Sequence, residues 1–184
     1  NYDTLIYLSS VTDIKYTEDN IYKSIKISFL PILKIIDIAN KLNKKIKIIF
    51  TSSVTVFGSN KSNIKFNETS EINPITIYDV HKKLIEDQLI YANKSKIIDL
   101  VILRLSNVYG NSVNDSVNKN RNIIKKIVNN AIKYKTINLF AGGNFYRDFI
   151  HIDDVISALQ KSIILKNKNK TIFHICYGKS YTLK

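Results

Sequence analysis

Three residues in the middle of the chain have the types and spacing that alcohol oxidation needs. Tyr78 and Lys82 are four residues apart, so in a helix they share one face. Ser53 precedes Tyr78 by 25 residues, in a hydroxyl-rich segment after an apolar run. Hydride can leave an alcohol carbon only if a base takes the O–H proton, and an ammonium lowers the pKa of a nearby phenol. The trio predicts Tyr78 as general base and acid, Ser53 as orienting donor and Lys82 as the cation.

The Tyr-x-x-x-Lys spacing is weak evidence by itself. It occurs twice, and the other pair, Tyr22 and Lys26, has no hydroxyl-rich strand end before it. The hydroxyls of the segment Thr51–Gly58 could also serve only to cap loose backbone groups where a strand ends. Both interpretations are open at this point.

Apolar patterns that alternate between periods of 2 and 3.6 predict an α/β fold. The predicted strands are Thr4–Leu8, Ile46–Phe50, Leu100–Leu103, Ile137–Phe140 and Thr171–Cys176. The predicted helices are Tyr22–Leu42, bent or begun at Pro31, Tyr78–Ala92, Ile123–Tyr134, and Asp153–Leu165 capped by Asp153 or Asp154. We expect a doubly wound, mostly parallel sheet with helices on both faces and with chemistry at the carboxyl ends of its strands.

Two polar segments separate these elements. Residues Gly58–Asn73 are expected to form a loop, and Asn111–Asn122 has no apolar period, so we expect that segment to be mobile.

Composition favours one globular domain over residues 1–184 with no nucleic acid or membrane partner. The net charge is +13, but only three of the 28 basic residues are Arg, the residue that nucleic-acid sites favour. A nucleic-acid-binding protein therefore remains only a third hypothesis. No apolar run is long enough to span a bilayer. The single Cys176 cannot form an internal disulfide, so we expect a cytoplasmic protein.

The three histidines give no clear sign of chemistry. His174 and Cys176 are two residues apart on a predicted strand, but no further ligand is spaced for zinc, so we predict no metal site. His81 is expected on the helix surface and His151 in a structural position.

Four segments, in this order, resemble the extended short-chain dehydrogenase/reductases, and specifically their sugar-nucleotide epimerase/dehydratase branch. They are Ile46–Gly58, Tyr78–Glu86, Val101–Gly110 and Arg147–Val155. The resemblance implies a Rossmann-like fold, NAD as cofactor with NADP left open, a nucleotide-sugar substrate and a homodimer.

The resemblance also implies roles for single residues. It places Ser53, Tyr78 and Lys82 in catalysis. Residues implied to bind the cofactor, besides Tyr78 and Lys82, are Leu8, Ser9, Ser10, Ser28, Ser52 and Leu105. Residues implied to face the substrate are Thr55, Asn107 and Arg147, with the Arg147 guanidinium near the diphosphate.

The chain departs from the family pattern in three places. The glycine-rich phosphate turn is absent, since the chain resembles the family only from its fourth strand onward. The chain begins at Asn1 and contains no Met, so we expect a fragment that is truncated at its N-terminus and carries part of the substrate lobe in residues 111–150 and 171–184. Ser28 stands where an Asn is usual. A fragment without the phosphate turn could be inactive, and these departures favour a second hypothesis, a binding or regulatory protein of the same fold without catalysis.

The residues after Ser53 bear on the type of reaction. Dehydratases of the branch carry an Asp-Glu pair there, whereas this chain has Val54 and Thr55, which cannot perform acid/base elimination. An epimerase, which oxidises the sugar 4-hydroxyl and reduces the keto sugar from the other face, is therefore favoured over a dehydratase. Reductases share the same core, so a reductase stays an alternative.

Overall fold

The computed structural model describes residues 3–58, 64–111, 123–137, 139–166 and 170–184. Its strands are β1 (Thr4–Tyr7), β2 (Ile46–Ser53), β3 (Ile98–Leu105), β4 (Asn107–Tyr109), β5 (Arg147–His151), β6 (Ile172–Ile175) and β7 (Ser180–Tyr181). Its α-helices are α1 (Ile14–Asp19), α2 (Ile21–Ser28), α3 (Leu30–Lys41), α4 (Ile77–Lys94), α5 (Ile123–Tyr134) and α6 (Ile152–Ile164).

The main sheet has four parallel strands in the order β1-β2-β3-β6, with apolar side chains packed on both of its faces. On one face, Ile48, Phe50 and Ile102 pack with side chains of α3 and α4. On the other face, Ile49 and Leu103 pack with side chains of α6. The predicted doubly wound α/β fold is confirmed.

Strands β2 and β3 extend beyond the predicted ranges. β2 continues from Phe50 to Ser53 and β3 from Leu103 to Leu105, and the two stay in register to the pair Ser53–Leu105. The hydroxyl-bearing residues at the end of β2 still donate and accept ladder hydrogen bonds, so the loss of apolar character did not mark the end of the strand.

The predicted long helix Tyr22–Leu42 is two helices. The break falls at Phe29, and Pro31 lies in the first turn of α3, where its missing N–H leaves no helical bond unmade. This confirms the expectation for Pro31. The short helix α1 was not predicted; the Asp13 side chain caps it by accepting a hydrogen bond from the Tyr16 N–H.

The predicted strand Ile137–Phe140 is wrong. Ile137 and Leu139 lie outside any strand, residue 138 lies outside the described residues, and a 3-10 helix covers Phe140–Gly143. Gly142 and Gly143 both have positive φ, which turns the chain here. Helix α5 occupies the predicted range.

The predicted cap of α6 is also wrong. His151 is the N-cap, and its Nδ1 accepts a hydrogen bond from the Asp153 N–H at 3.3 Å, which gives His151 the structural role expected for it. Asp153 and Asp154 lie in the first turn of α6, where their negative charges interact favourably with the positive end of the helix dipole.

A second, three-stranded sheet in the order β4-β5-β7 was not predicted, because its strands are short and polar. The loop before α4 is held on the edge of β6 by Glu68, which accepts hydrogen bonds from Lys170 Nζ at 3.0 Å and from the His174 N–H at 3.2 Å. The hydrogen bond from Lys170 lowers the pKa of Glu68 to about 2.

Most of the segment predicted to be mobile, from residue 112 to residue 122, lies outside the described residues. Among the helices that the structure does describe, none combines the length and the apolar character that crossing a membrane requires.

Candidate active site

A cavity of about 210 Å³ opens at the carboxyl ends of β1, β2 and β3. The residues that line it come from these strand ends, the loop after β1, helix α4 and β4: Leu8, Ser10, Thr12, Thr51, Ser52, Ser53, Tyr78, Lys82, Leu105, Ser106 and Val108. The three residues singled out for chemistry therefore meet in one cavity, at the edge of the sheet where parallel α/β folds bind ligands.

Helix α4 delivers Tyr78 and Lys82 to this cavity. The helix starts at a capping box in which the Thr76 hydroxyl accepts from the Asp79 N–H and the Asp79 carboxylate accepts from the Thr76 N–H. A fixed helix start places Tyr78 in the first turn at the mouth of the cavity and Lys82 one turn deeper.

Ser53 has a hydroxyl whose direction is set by its neighbour. Its Oγ accepts hydrogen bonds from the Thr55 N–H at 3.2 Å and from Thr55 Oγ1 at 2.9 Å. Because both acceptor positions are used, the Ser53 proton is left to donate, and the hydroxyl hydrogen-bonds to Tyr78. Thr55, implied to face the substrate, is itself exposed and orients Ser53 in this structure.

Lys82 is almost completely buried, with 4% of its surface exposed. Its Nζ donates to the Thr51 carbonyl at 2.8 Å and lies 4.9 Å from the Phe50 ring centroid and 5.7 Å from that of Tyr78. Burial lowers the pKa of Lys82 to about 8, although the charge of Glu86 acts to raise it. The amine is still mostly protonated at neutral pH.

In the protein alone, the pKa of Tyr78 is raised. Burial raises it to about 12, and the hydrogen bond with Ser53 offsets only part of that rise. The expectation of a lowered pKa rests on the ammonium together with the positive charge of a bound nicotinamide, and the cost of forming a phenolate inside the protein opposes both. In the protein alone, the Tyr78 phenol therefore keeps its proton at neutral pH.

Four of the residues implied to bind the cofactor line the cavity with the trio, namely Leu8, Ser10, Ser52 and Leu105. Two others do not. The exposed Ser9 donates to the Ile27 carbonyl at 3.2 Å.

Ser28 is the second of these two. It is buried under the loop after β1, where its Oγ accepts from the Val11 N–H at 3.1 Å, and its carbonyl accepts from the Tyr7 hydroxyl at 3.0 Å. In this structure Ser28 supports the loop that forms a wall of the cavity, but Ser28 itself does not line the cavity.

The remaining residues implied to face the substrate lie in the second sheet. Asn107 begins β4, and its Nδ2 donates to the Asp148 carbonyl at 2.9 Å. Arg147 begins β5, is half-buried and stands opposite Tyr181 of β7. Neither lines the cavity.

Sequence reasoning missed three lining residues, Thr12, Ser106 and Val108, and named Thr51 only as part of the hydroxyl-rich segment. The rule that ligands bind after parallel strands could have found Ser106, which directly follows β3. Ser52 and Ser106 are 4% and 7% exposed, and within the described part of the chain neither hydroxyl oxygen has a hydrogen-bond partner. Buried hydroxyls without partners are costly, so both mark polar positions on the cavity wall that a ligand could satisfy.

His81 was expected on the helix surface, but it is buried. It is 5% exposed, and its Nδ1 lies 3.4 Å from Ser24 Oγ on α2. This helix face is covered by α2, which the sequence pattern of α4 alone does not show. No cluster of three or more metal-ligating side chains is found among residues 3–58, 64–111, 123–137, 139–166 and 170–184.

Comparison with known proteins agrees with this architecture. A parallel sheet covered on both faces, with a cavity at its carboxyl edge, is the architecture of the doubly wound α/β proteins, which bind their ligands at that edge. The sequence profile of the NAD dependent epimerase/dehydratase family matches residues 1–176. The chain belongs to that family.

The relatives perform several reactions. The chain is 31% identical over 171 residues to ADP-L-glycero-D-manno-heptose-6-epimerase of Brachyspira hyodysenteriae, covering 90% of this chain and 49% of the relative. It is 31% identical over 139 residues to dTDP-4-dehydro-6-deoxyglucose reductase of Escherichia coli, covering 75% of this chain and 42% of the relative. The chain thus spans about half the length of these curated relatives.

A solved structure shares the fold. The UDP-N-acetylglucosamine 4-epimerase from Methanobrevibacter ruminantium, in complex with UDP-N-acetylmuramic acid, superposes with a TM-score of 0.84 at 23% identity. The match covers 98% of this chain and 56% of that protein.

Proposed function

We propose that this protein is an NAD(P)-dependent oxidoreductase of nucleotide sugars, and in particular an epimerase that works through a keto intermediate. The observation that carries the proposal is the single cavity that Ser53, Tyr78 and Lys82 line at the carboxyl edge of the sheet. Relatives named for reactions of nucleotide sugars support the substrate class.

The cavity wall suits the nicotinamide end of a dinucleotide. Leu8, Leu105 and Val108 supply apolar surface, and the unpartnered hydroxyls of Ser52 and Ser106 can bond to an amide. NAD and NADP are identical at the nicotinamide, so this wall accepts either. When bound in its oxidised form, the cofactor supplies a hydride acceptor and a positive charge.

In the proposed mechanism Tyr78 carries the proton of the reacting sugar hydroxyl. It takes the O–H proton as the C–H hydrogen leaves as hydride, and it returns a proton to the carbonyl oxygen when hydride comes back, so one cycle consumes nothing. Ser53 donates to the same oxygen because Thr55 fills its acceptor positions. Burial holds the pKa of Tyr78 at about 12 even with Lys82 nearby, so its action as a base depends on further positive charge, which an oxidised nicotinamide would bring to the cavity.

The cavity lining favours an epimerase over a dehydratase. Elimination of water needs an acid and a base beside the sugar carbons, and no Asp or Glu is among the described residues that line the cavity. The Thr55 hydroxyl donates a hydrogen bond to Ser53. A reductase needs the same trio, so reduction of a keto sugar is the closest alternative within the class.

The second sheet is our candidate for part of the substrate lobe, in residues 111–150 and 171–184. Arg147 and Asn107 lie at the starts of β5 and β4, so both belong to the side of the protein that continues into this lobe. A guanidinium can bind a diphosphate through two parallel hydrogen bonds. We propose that Arg147 contacts the diphosphate, and we propose a cytoplasmic location because a nucleotide-sugar pathway and a single free Cys176 both fit that compartment.

A second candidate function is a binding protein that performs no chemistry. The observation that favours it is the raised pKa of Tyr78, which makes the phenolate needed for catalysis harder to form than in a free tyrosine. Such a protein would bind a nucleotide sugar, with or without NAD, and leave it unchanged.

The test compares two tyrosines that share the same spacing to a lysine. The full open reading frame that encodes this chain is assayed with NAD and UDP-glucose or UDP-N-acetylglucosamine, and NMR detects inversion of the sugar. Tyr78→Phe should lower turnover by about 100-fold or more. Tyr22→Phe should leave it unchanged, because Tyr22 is 75% exposed on α2.

Turnover close to wild type in Tyr78→Phe contradicts the mechanism. Binding of the nucleotide sugar without any conversion by the unmodified protein favours the second candidate. Net consumption of NADPH with a keto sugar would identify the reductase.

A further inference from the structure

A buried ion pair lies directly behind the catalytic trio. Arg104 and Glu86 have side chains that are only 2% and 0% exposed. The guanidinium meets the carboxylate through two bonds, Nε to Oε1 at 3.0 Å and the second amino nitrogen to Oε2 at 2.7 Å. This planar, two-bond contact fixes the orientation of both groups as well as their separation.

The pair joins helix α4 to β3, two of the elements that carry lining residues. Glu86 lies one turn after Lys82 on α4, and Arg104 lies in β3 just before Leu105 and Ser106. The Arg104 guanidinium carbon also lies 5.1 Å from the ring centroid of Phe57, in the 3-10 helix that follows Ser53.

Stability alone does not account for this pair. Replacing a buried ion pair by apolar residues of similar volume is often neutral or stabilising, because both charges lose their hydration. One guanidinium nitrogen of Arg104 is buried without a hydrogen-bond partner among the residues that the structure describes, which adds to that cost. A costly pair at this position is best explained by the geometry that it imposes.

We propose that Glu86, held by Arg104, is a positioning residue that locks helix α4 to β3 and so holds the Lys82 ammonium, one turn earlier on the helix, against the Thr51 carbonyl. Only the expected effect of Glu86 on turnover rests on the proposed function. The position of Lys82 itself can be measured without any reaction.

The surroundings of Lys82 make its titration a specific readout. On α4 it neighbours Tyr78 and Glu86; from β2 it meets the Thr51 carbonyl and the Phe50 ring; and Arg104 of β3 stands behind Glu86. Among these groups, Glu86 is the one whose charge raises the pKa of Lys82 against the effect of burial. Loss of the carboxylate should therefore lower that pKa further.

The experiment uses two variants and one control in the full open reading frame. Glu86→Met/Arg104→Met removes both charges at similar volume, and Glu86→Gln removes only the negative charge. Asp87→Asn is the matched control, since it breaks the exposed Lys83–Asp87 pair one residue further along α4. NMR of 13C-labelled lysine follows the titration of Lys82, with the Lys82→Met spectrum giving the assignment.

We expect the double variant to unfold cooperatively at the wild-type temperature or above. In both variants Lys82 should titrate at lower pH than in the wild type, and kcat should fall by about 10-fold or more with KM little changed, as expected when a group is slightly misplaced. The control should match the wild type in both measurements.

An unchanged Lys82 titration in the variants overturns the proposal. If Glu86→Gln is too unstable to measure, because it leaves the Arg104 charge buried without its partner, the double variant alone gives the readout. If the unmodified protein shows no turnover, the proposed function fails while the titration still decides whether Glu86 positions Lys82.

Discussion

Lys82 is a charged side chain placed where the protein disfavours charge. Burial lowers its pKa to about 8 from 10.5, so between these values the unfolded chain binds more protons than the folded one. The free energy of unfolding therefore rises with pH over that range. The stability gained when the amine loses its proton is lost again as pH falls through about 8. At neutral pH, the buried protonated amine therefore lowers the stability of the fold. We attribute its presence to a functional role.

We predict that Lys82→Met increases the free energy of unfolding at neutral pH by roughly 1 to 3 kcal/mol and abolishes turnover. The gain should shrink as pH rises from about 8 to about 10.5, where the amine is neutral in both states. Urea unfolding at several pH values measures this change in the free energy of unfolding. Lys83→Met, on the partly exposed neighbour, should change stability by less than about 0.5 kcal/mol; an equal, pH-independent change in both variants would refute this account of Lys82.

Residue environments were the part of the site that the sequence could least predict. The spacing of Tyr78 and Lys82 and the hydroxyl at Ser53 were visible in the sequence, since they depend on local helix and strand periodicity. The raised pKa of Tyr78 and the burial of His81 were not, because both follow from packing between elements that are distant in the chain. Ser28, which the sequence assigned to the cofactor, supports a loop for the same reason.

At the scale of elements, two neighbouring helices leave apolar residues uncovered. Leu30 and Ile38 of α3 are 46% and 47% exposed, and Val80, Leu84 and Tyr91 of α4 are 46%, 38% and 67% exposed. Exposed apolar faces of this kind commonly mark interfaces, and a two-fold dimer would place the same face on both protomers. We propose a homodimer through α3 and α4.

Leu84→Glu should therefore convert a dimer into a monomer, because a carboxylate would be buried at the interface without a partner. Ile164→Glu is the control, since Ile164 is 77% exposed on α6, which packs on the opposite face of the sheet. Sedimentation equilibrium of both variants measures the state. A dimer that survives Leu84→Glu and dissociates with Ile164→Glu would place the interface elsewhere.

Elements with a strong apolar period were predictable, and short polar ones were not. Helices α4 and α5 and the strand β6 follow the sequence pattern closely. β4 and β5 have the pattern of loops because residues such as Asn107, Arg147 and Asp148 interrupt any alternation, and their hydrogen bonds to one another define them. The apolar run at Ile137 misled the prediction because the glycines after it turn the chain.

For the whole molecule, the account depends on the meeting of three elements at one edge of the sheet. β2 brings Ser53, α4 brings Tyr78 and Lys82, and β3 brings Leu105 and Ser106 to the same cavity. The parallel register of β2 and β3 sets this edge, because their last paired residues are Ser53 and Leu105. Family membership and this convergence together support the proposed oxidoreductase chemistry.

The measurement that tests the central claim most directly is a crystal structure of the protein from the full open reading frame with NAD and a UDP-sugar bound. The account predicts that Tyr78 Oη and Ser53 Oγ both lie within about 3.2 Å of the same sugar oxygen, with the Lys82 ammonium on the far side of the phenol. A sugar bound with its ring hydroxyls away from Tyr78 and Ser53 would contradict it.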